Sequence, residues 1–332
     1  MKVNVIVDLS YLFHKAVYAL FKARELDKLK ISLHYTFKNL MSSTYYDNFI
    51  VACDHGSSWR KTIYPEYKAP RKEKRDKDEL DWNTLYAMLT EFKEELNNDT
   101  IATILESKGA EGDDTIAQLV QRSNLKGYSN VIIASDRDFC QILHYSFDPS
   151  YINIMVNEEF KNKKIYVPVG GEAFLDKLRK QNNKNVFFMS ADNSHFIRYV
   201  DEQMAKREIM EVVGEEKLFL KIVAGDGKDN VMSTHYKHNL EKGTKRGIGD
   251  GTAKKIYDSY KEYHPEPINF KSKEFILRAK NKIAENRKIQ EEEVLNEVQK
   301  SLILNTKLIM LDQAFLPPAL KEDLNTKIDL II

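Results

Sequence analysis

The chain has 332 residues, enough for one large domain or two smaller ones. Its 51 Lys and Arg against 50 Asp and Glu leave a net charge of +1, so no global basic excess marks a polyanion ligand and any separation of charge must be local. Two cysteines, Cys53 and Cys140, stand in no CxxC or Cys/His spacing, which argues against a zinc site and fits a reducing cytosol. Asp8 interrupts the first apolar run too early for a secretory signal, and no stretch reaches the roughly 18 apolar residues of a membrane span. A soluble cytoplasmic protein is expected.

Four short apolar runs, 3–7, 49–53, 100–105 and 130–134, have the length of buried strands. Helical periodicity over 80–96 and 113–122 separates them, and such alternation predicts an α/β fold with a central parallel sheet flanked by helices. Residues 127–130 read as a turn. From 151 to about 185 the pattern dissolves into basic stretches around Pro168 and Gly170-Gly171, with no motif. Residues 202–220 predict a helix, and beyond Gly225 the chain reads as mostly helical, with a glycine-rich interruption at 246–251 and a turn or linker at Pro317-Pro318.

Three of the four strands end in an acid, Asp8, Asp54 and Asp136, and the fourth is followed by Glu111, Asp113 and Asp114. Sites in open parallel sheets form outside the carboxyl ends of strands, so these acids should gather, with Asp138 two residues beyond Asp136. Asp226 and Asp229 are three apart and would share a face on a helix. Two like charges 4 Å apart repel by about 4 kcal/mol at an effective dielectric near 20, so a divalent cation is the natural neutraliser. Hard oxygen ligands favour Mg²⁺ or Mn²⁺, and a pair of such ions activates water for phosphodiester hydrolysis. Taken singly, each acid reads as a helix cap or a surface charge, Asp113 and Asp114 above all, because a helix starts there.

Residues 60–77 carry 8 basic and 3 acidic side chains, a local net of +5, with Tyr64 and Tyr67 interleaved. Cations neutralise phosphates and aromatic faces stack bases, although such a run also occurs as plain solvated surface. Residues 245–256, KRGIGDGTAKKI, place glycines before a helix, where backbone N–H groups can approach a phosphate. A helix-capping loop on a basic surface gives the same pattern. No GK[ST] follows, so it is no Walker loop, and no clear strand precedes it, so it is a poor dinucleotide fingerprint.

The ordered set VDLSYLFHKA, VACDHGSSWRKTIYPEYKAPR, EGDDTIAQL, IIASDRDFCQIL, AGDGKDNV and RGIGDGTAKKI resembles the flap endonuclease and 5′–3′ exonuclease family over most of residues 1–145 and 220–260. The resemblance implies a PIN-like 5′ nuclease fold with a metal-nuclease domain at 1–220 and a helical DNA-binding region at 221–332. It implies a helical arch at about 64–96 and a helix–three-turn–helix at about 225–260. It implies that Asp8, Asp54, Glu111, Asp113, Asp114, Asp136, Asp138, Asp226 and Asp229 bind or orient two Mg²⁺ ions, with Mn²⁺ able to substitute and K⁺ held at the helix–three-turn–helix. Lys68 and Arg71 match residues at the scissile phosphate and Tyr67 an aromatic near the entering strand. Arg60, Lys72, Arg246, Gly247, Gly249, Gly251, Lys254 and Lys255 fall in the DNA-gripping segments. The implied activity is structure-specific cutting of DNA and RNA–DNA duplexes at 5′ ends, nicks or flaps, as in primer removal during phage replication. The expected protein is a monomer, with a sliding clamp or single-strand DNA-binding protein as candidate partners.

Three rival readings make different demands. A phosphatase using Asp136 as nucleophile and Asp138 as acid leaves the other strand-end acids unexplained. A non-catalytic branched-DNA binder would meet repulsion from an unneutralised acid set. A small toxin-type ribonuclease would need neither the glycine-rich turn nor the long basic segment.

Overall fold

The computed structural model describes residues 2–43, 46–98, 102–134, 136–142, 153–157, 164–167, 185–189, 195–200, 206–211, 215–239 and 244–332. By their internal contacts they form two compact units, the first comprising Met1–Trp59, Glu79–Val212 and Leu311–Ile332, the second Arg60–Asp78 and Val213–Met310. This division differs from the expected boundary at 220/221: the basic segment groups with the later helices, and the C-terminus returns to the sheet unit.

The first unit alternates strand and helix as β1 (Lys2–Asp8), α1 (Leu9–Ala23), α2 (Leu29–Ser43), β2 (Asn48–Ala52), α5 (Trp82–Asn98), β3 (Thr103–Leu105), α6 (Gly112–Leu125) and β4 (Tyr128–Ile133). The strands run parallel in the order β3-β2-β1-β4, so the chain reverses its direction of travel across the sheet between β3 and β4, beside β1. The turn expected at 127–130 is confined to its start, since Tyr128 already pairs with Lys2.

The two-residue period of a strand sorts β1 between two layers. Val3, Val5 and Val7 join Phe49, Val51, Val131 and Ile133 in a core with apolar residues of α1, α2 and α5. The alternate residues Asn4 and Ile6 are fully buried on the opposite face. There Asn4 donates to Asn130 Oδ1 at 3.0 Å, Asn48 donates to Asn4 at 2.9 Å, and Ser123 and Asn124 of α6 close the network on Asn130 at 2.8 and 3.0 Å. This asparagine ladder ties three strands to α6. Asn130→Ala is expected to lower unfolding free energy by about 1–3 kcal/mol for each buried group left unsatisfied. Urea denaturation measures this. A midpoint shift worth less than about 0.5 kcal/mol, the usual surface value, would show the ladder to be dispensable.

The sheet continues beyond β4 through β5 (Asn153–Asn157), β6 (Lys164–Val167), β7 (Asn185–Met189), β8 (His195–Val200) and β9 (Lys206–Glu211), giving nine strands among the described residues. The added part is mixed, with β5–β6, β7–β8 and β8–β9 antiparallel. Strands β5 and β6 and the start of β7 fall within the stretch expected to be patternless from 151 to 185, of which 151–152, 158–163 and 168–184 lie outside the described residues, and β9 corrects the helix expected over 202–220. The helix there, α7 (Glu215–Ala224), starts only at Glu215, and Gly214 in the sequence interrupts the helical period.

Pro318 opens the last helix, α11 (Pro318–Asp329), rather than a linker; its fixed φ suits a first turn. This helix buries Leu320, Leu324 and Ile328 and is clasped to the α6 side by Ser107–Asp323, Gln118–Asn325 and Arg122–Asp329 bonds.

The second unit contains α3 (Arg60–Ile63), α4 (Ala69–Asp76), α7 (Glu215–Ala224), the hairpin β10 (Tyr236–Asn239) and β11 (Thr244–Gly247), then α8 (Asp250–Tyr263), α9 (Lys273–Arg287) and α10 (Glu292–Ile309). Phe219, Tyr260, Phe270 and Phe275 form an edge-to-face aromatic core, and Asn305 donates to the carbonyls of Ile222 and Met232, both at 2.8 Å. The hairpin is a departure from the mostly helical expectation.

Candidate functional site

Because β2, β1 and β4 are parallel neighbours, their carboxyl ends share one edge of the sheet. Asp8 is the last residue of β1 and pairs with Ala52; Asp54 follows two residues after Ala52, and Asp136 three residues after Ile133, the partner of Val7. Asp8 is only 8% exposed, whereas Asp54 and Asp136 face solvent. Burial pushes the Asp8 carboxyl well above the usual carboxylate range, opposed by the Tyr11 N–H and reinforced by the nearby charges of Asp54 and Asp136.

Each acid has a built support. Asp8 caps α1, its Oδ1 accepting from the Tyr11 N–H at 3.1 Å. Asp54 Oδ1 accepts the Gly112 N–H at 2.6 Å and its Oδ2 accepts Ser10 Oγ at 2.6 Å. A side chain at Gly112 would place its Cβ 3.4 Å from Asp54 Oδ1 and 3.9 Å from Asp8 Oδ1, so the start of α6 borders both acids. Glu111 is the N-cap of α6, Asp113 lies in its first turn, and the N–H of Asp138 donates to Asp136 Oδ1 at 2.9 Å. Among the described residues no group of three or more His, Cys, Asp or Glu side chains is placed so that it could hold a metal ion.

Asp114 stands apart from the others. It is 3% exposed, and its Oδ2 accepts the Trp59 indole N–H at 3.0 Å and the Glu111 N–H at 3.2 Å. Its visible work is to fix the start of α6, the bland reading of that position.

In the second unit, Asp226 and Asp229 lie on a tight turn closed by an Asp226–Val231 bridge, not on the helix that their spacing suggested. Gly225, at φ +86°, is required there, since a Cβ would lie 2.3 Å from the Val231 carbonyl. Asp226 Oδ2 is 3.0 Å from Lys221 Nζ, and its Oδ1 accepts the Lys228 N–H at 2.9 Å. Burial alone would raise Asp226, but Lys221 and these N–H groups hold it below the usual range. Asp229 gathers three residues singled out in the sequence: Tyr67 Oη donates to it at 3.3 Å, Arg71 pairs with it directly, and Lys68 Nζ is 3.9 Å away.

The loop is locked in place by the backbone as well. The Lys68 N–H donates to the Asp229 carbonyl at 2.9 Å, and Asn230 donates to the Glu66 carbonyl at 2.8 Å. Lys68 and Asn230 both sit in the left-handed region, at φ 56° and 58°, a conformation that disfavours a lysine. Tyr67 is 3% exposed, its ring lying 5.0 Å from Lys68 Nζ and 5.9 Å from the Arg60 guanidinium carbon. It positions these cations and is too enclosed to stack a base. Arg60 itself corrects the sequence reading: it is 1% exposed and its Nε donates to the Leu308 carbonyl at 2.9 Å, so it is no surface contact for nucleic acid. Lys72 is exposed.

The glycine-rich turn borders an open cleft of about 870 Å³ lined in part by Lys237, Arg246, Gly249, Gly251, Lys255 and Arg287. Gly249 is the N-cap of α8, and neither it nor Gly251 has any atom within 4 Å of an added Cβ, so the backbone is open to a ligand. Gly247 is needed for packing instead, since a Cβ there would press on Ser233 at 2.9 Å. Lys254 does not line the cleft; it pairs with Asp258 at 2.7 Å and Glu216 at 2.9 Å. Lys237 and Arg287 were missed in the sequence because neither belongs to a recognisable motif; the hairpin and the end of α9 bring them in.

The description "5′–3′ exonuclease, N-terminal resolvase-like domain" matches residues 3–170, and the chain belongs to this family. Ribonuclease H of Enterobacteria phage T4 is 25% identical over 230 residues, 67% of this chain and 72% of that protein. Flap endonuclease Xni of Shewanella sp. (strain MR-4) is 32% identical over 108 residues, 31% of this chain and 38% of its own. Among solved structures, the T5 5′-exonuclease with bound zinc aligns over 99% of both chains at a TM-score of 0.56 and 18% identity. The T5 flap endonuclease in a pseudo-enzyme–product complex with DNA and metal ions aligns over 99% of both chains at a TM-score of 0.53 and 19% identity. These two establish the fold. Among the described residues no helix is long and apolar enough to cross a membrane.

Proposed function

We propose that the protein is a Mg²⁺-dependent 5′ nuclease that hydrolyses phosphodiester bonds at 5′ ends, nicks or flaps in DNA and RNA–DNA duplexes. The observation that carries this reading is the crowding of Asp8, Asp54 and Asp136 at the carboxyl ends of three adjacent parallel strands, with Asp8 buried against its own charge. An all-oxygen donor set of this kind fits a hard divalent cation, Mg²⁺ or Mn²⁺. Asp8, Asp54 and Asp136 would hold it, with Glu111, Asp113 and Asp138 at the rim and Asp226 and Asp229 as acids of a second metal region. Bound there, the cations would lower the pKa of a water and neutralise the reacting phosphate.

The chain's own residues do the positioning. Ser10 and the Gly112 N–H fix both oxygens of Asp54, and the α1 cap fixes Asp8. Lys68 and Arg71 are held on Asp229 as cations for the non-bridging phosphate oxygens. Residues of about 64–96 would serve as the arch that receives a 5′ strand, and the turn at 246–256 would grip the duplex backbone, with K⁺ as a candidate ion there. Primer or flap removal in phage replication, alongside a clamp or single-strand-binding protein, follows by likeness to phage relatives.

The test is cleavage of a 5′-labelled flap duplex and a matching nicked duplex, with Mg²⁺ and with EDTA. Short 5′ products that require Mg²⁺ are expected, and their lengths separate exonuclease from flap cutting. Tight binding without cleavage would favour the non-catalytic binder, and a trapped aspartyl-phosphate the Asp136/Asp138 phosphatase.

A further inference from the structure

The hairpin β10–β11 sets Lys237 directly opposite Arg246 across its strands. Like charges directly opposite one another destabilise a two-stranded ribbon, which is already the least stable form of sheet. Its base is secured by other means: a Cβ on Gly247 would sit 3.0 Å from the Tyr236 ring, and Tyr236 Oη accepts the Ser233 N–H at 3.2 Å. Arg287, the last residue of α9, reaches the same place and donates from Nη2 to the Arg246 carbonyl at 3.3 Å. Its Nε is buried with no partner among the described residues, and burial and the Arg246 charge hold this guanidinium below its ordinary pKa. A third cation is thus drawn toward two others, which works against folding unless an anion is to be received.

Lys237, Arg246 and Arg287 share the cleft with Lys255 and the open glycines, and Asp250 is the carboxylate in that lining. Tyr236, the aromatic there, has its hydroxyl engaged. The lining therefore offers cations and backbone N–H groups, a donor set for phosphates and not a platform for stacking bases.

We propose that the β10–β11 hairpin and Arg287 form a second phosphate-binding wall that extends the grip of the glycine-rich turn along the backbone of duplex nucleic acid, with Lys237 and Arg287 each taking a phosphate. This rests on the nuclease reading and adds two residues, from elements outside its motifs, that set duplex affinity.

The test measures binding of a fluorescein-labelled duplex by anisotropy across a salt series, with Ca²⁺ replacing Mg²⁺, for Lys237→Thr, Arg287→Gln and Arg287→Lys. Lys237→Thr and Arg287→Gln are each expected to lessen the slope of log affinity against log salt by about one and to weaken binding roughly three- to tenfold at moderate salt. Arg287→Lys keeps the charge and is expected to keep the slope. Lys237→Thr is expected to leave the melting temperature of the free protein unchanged or higher, because a repelling pair is gone; a merely structural role moves it down. Unaltered slopes in a protein that still cuts in Mg²⁺ overturn the wall and leave the nuclease reading standing. A parent protein that neither binds nor cuts overturns that reading itself. Lowered melting temperatures with no rescue by Arg287→Lys assign these residues to folding and also overturn the wall.

Discussion

Asp8→Asn is expected to lose Mg²⁺-dependent cleavage by more than the roughly 10–100-fold typical of residues that only orient a metal ligand, while the metal-free protein melts at a higher temperature. Both halves come from one feature. Asp8 is buried beside the charges of Asp54 and Asp136 at the mouth of the sheet. Asparagine retains an oxygen for the Tyr11 N–H and is as good an N-cap as aspartate, so α1 keeps its start. What disappears is the buried charge, which repels its neighbours and favours a cation.

The pH dependence has a fixed sign. The folded-state pKa of Asp8 lies above its unfolded value, so the contribution of this group to stability is fully present below the unfolded pKa and is lost as pH rises through the raised folded value. The melting advantage of Asp8→Asn should therefore be small in acid and grow toward neutral and alkaline pH. Differential scanning calorimetry in EDTA at several pH values measures it. A variant that melts lower than the parent at every pH would assign Asp8 a purely structural role.

The second large effect belongs to Lys68. Lys68→Gly should slow cleavage by about 10²–10³-fold at saturating substrate, the usual loss when one preorganised charge at a reacting centre is removed. Its melting temperature should hold or rise. Glycine tolerates the left-handed backbone that lysine adopts at φ 56°, and the Lys68 N–H to Asp229 carbonyl bond survives the change. The Lys68 Nζ stands 3.9 Å from Asp229 and 5.0 Å from the Tyr67 ring centre. Undiminished turnover would remove Lys68 from the chemistry. Asp8 carries a buried charge and Lys68 a left-handed backbone conformation, and each of these is unfavourable for folding.

The sequence carried the sheet well where physics is local. Valines and isoleucines in runs of strand length marked β1, β2 and β4 within two residues, and an acid at each strand's end implied the mouth that the parallel order β2-β1-β4 then creates. It carried less wherever a distant partner decides the role. Arg60 reads as a cation in a basic run, yet Leu308 draws it into the interior. Asp114 reads as one acid in a cluster, yet the indole of Trp59 turns it into a cap. Asp226 and Asp229 have helical spacing, but Gly225 and the bridge to Val231 set them on a turn, where Asp229 collects Tyr67, Lys68 and Arg71. The added strands β5–β9 are only four to six residues long, too short for a strand period to be told from a helical one. The hairpin was hidden for a different reason: its charged sequence lacks the apolar alternation that marks a strand.

The most direct test of the strand-end carboxylates as a metal centre is thermal melting of the parent protein and Asp8→Asn across a Mn²⁺ titration. A parent melting temperature that climbs with Mn²⁺ and overtakes a nearly unresponsive Asp8→Asn is expected, because an ion that binds the folded state stabilises it in proportion to its affinity. Equal shifts in the two proteins, or none in either, would contradict a metal centre built on Asp8.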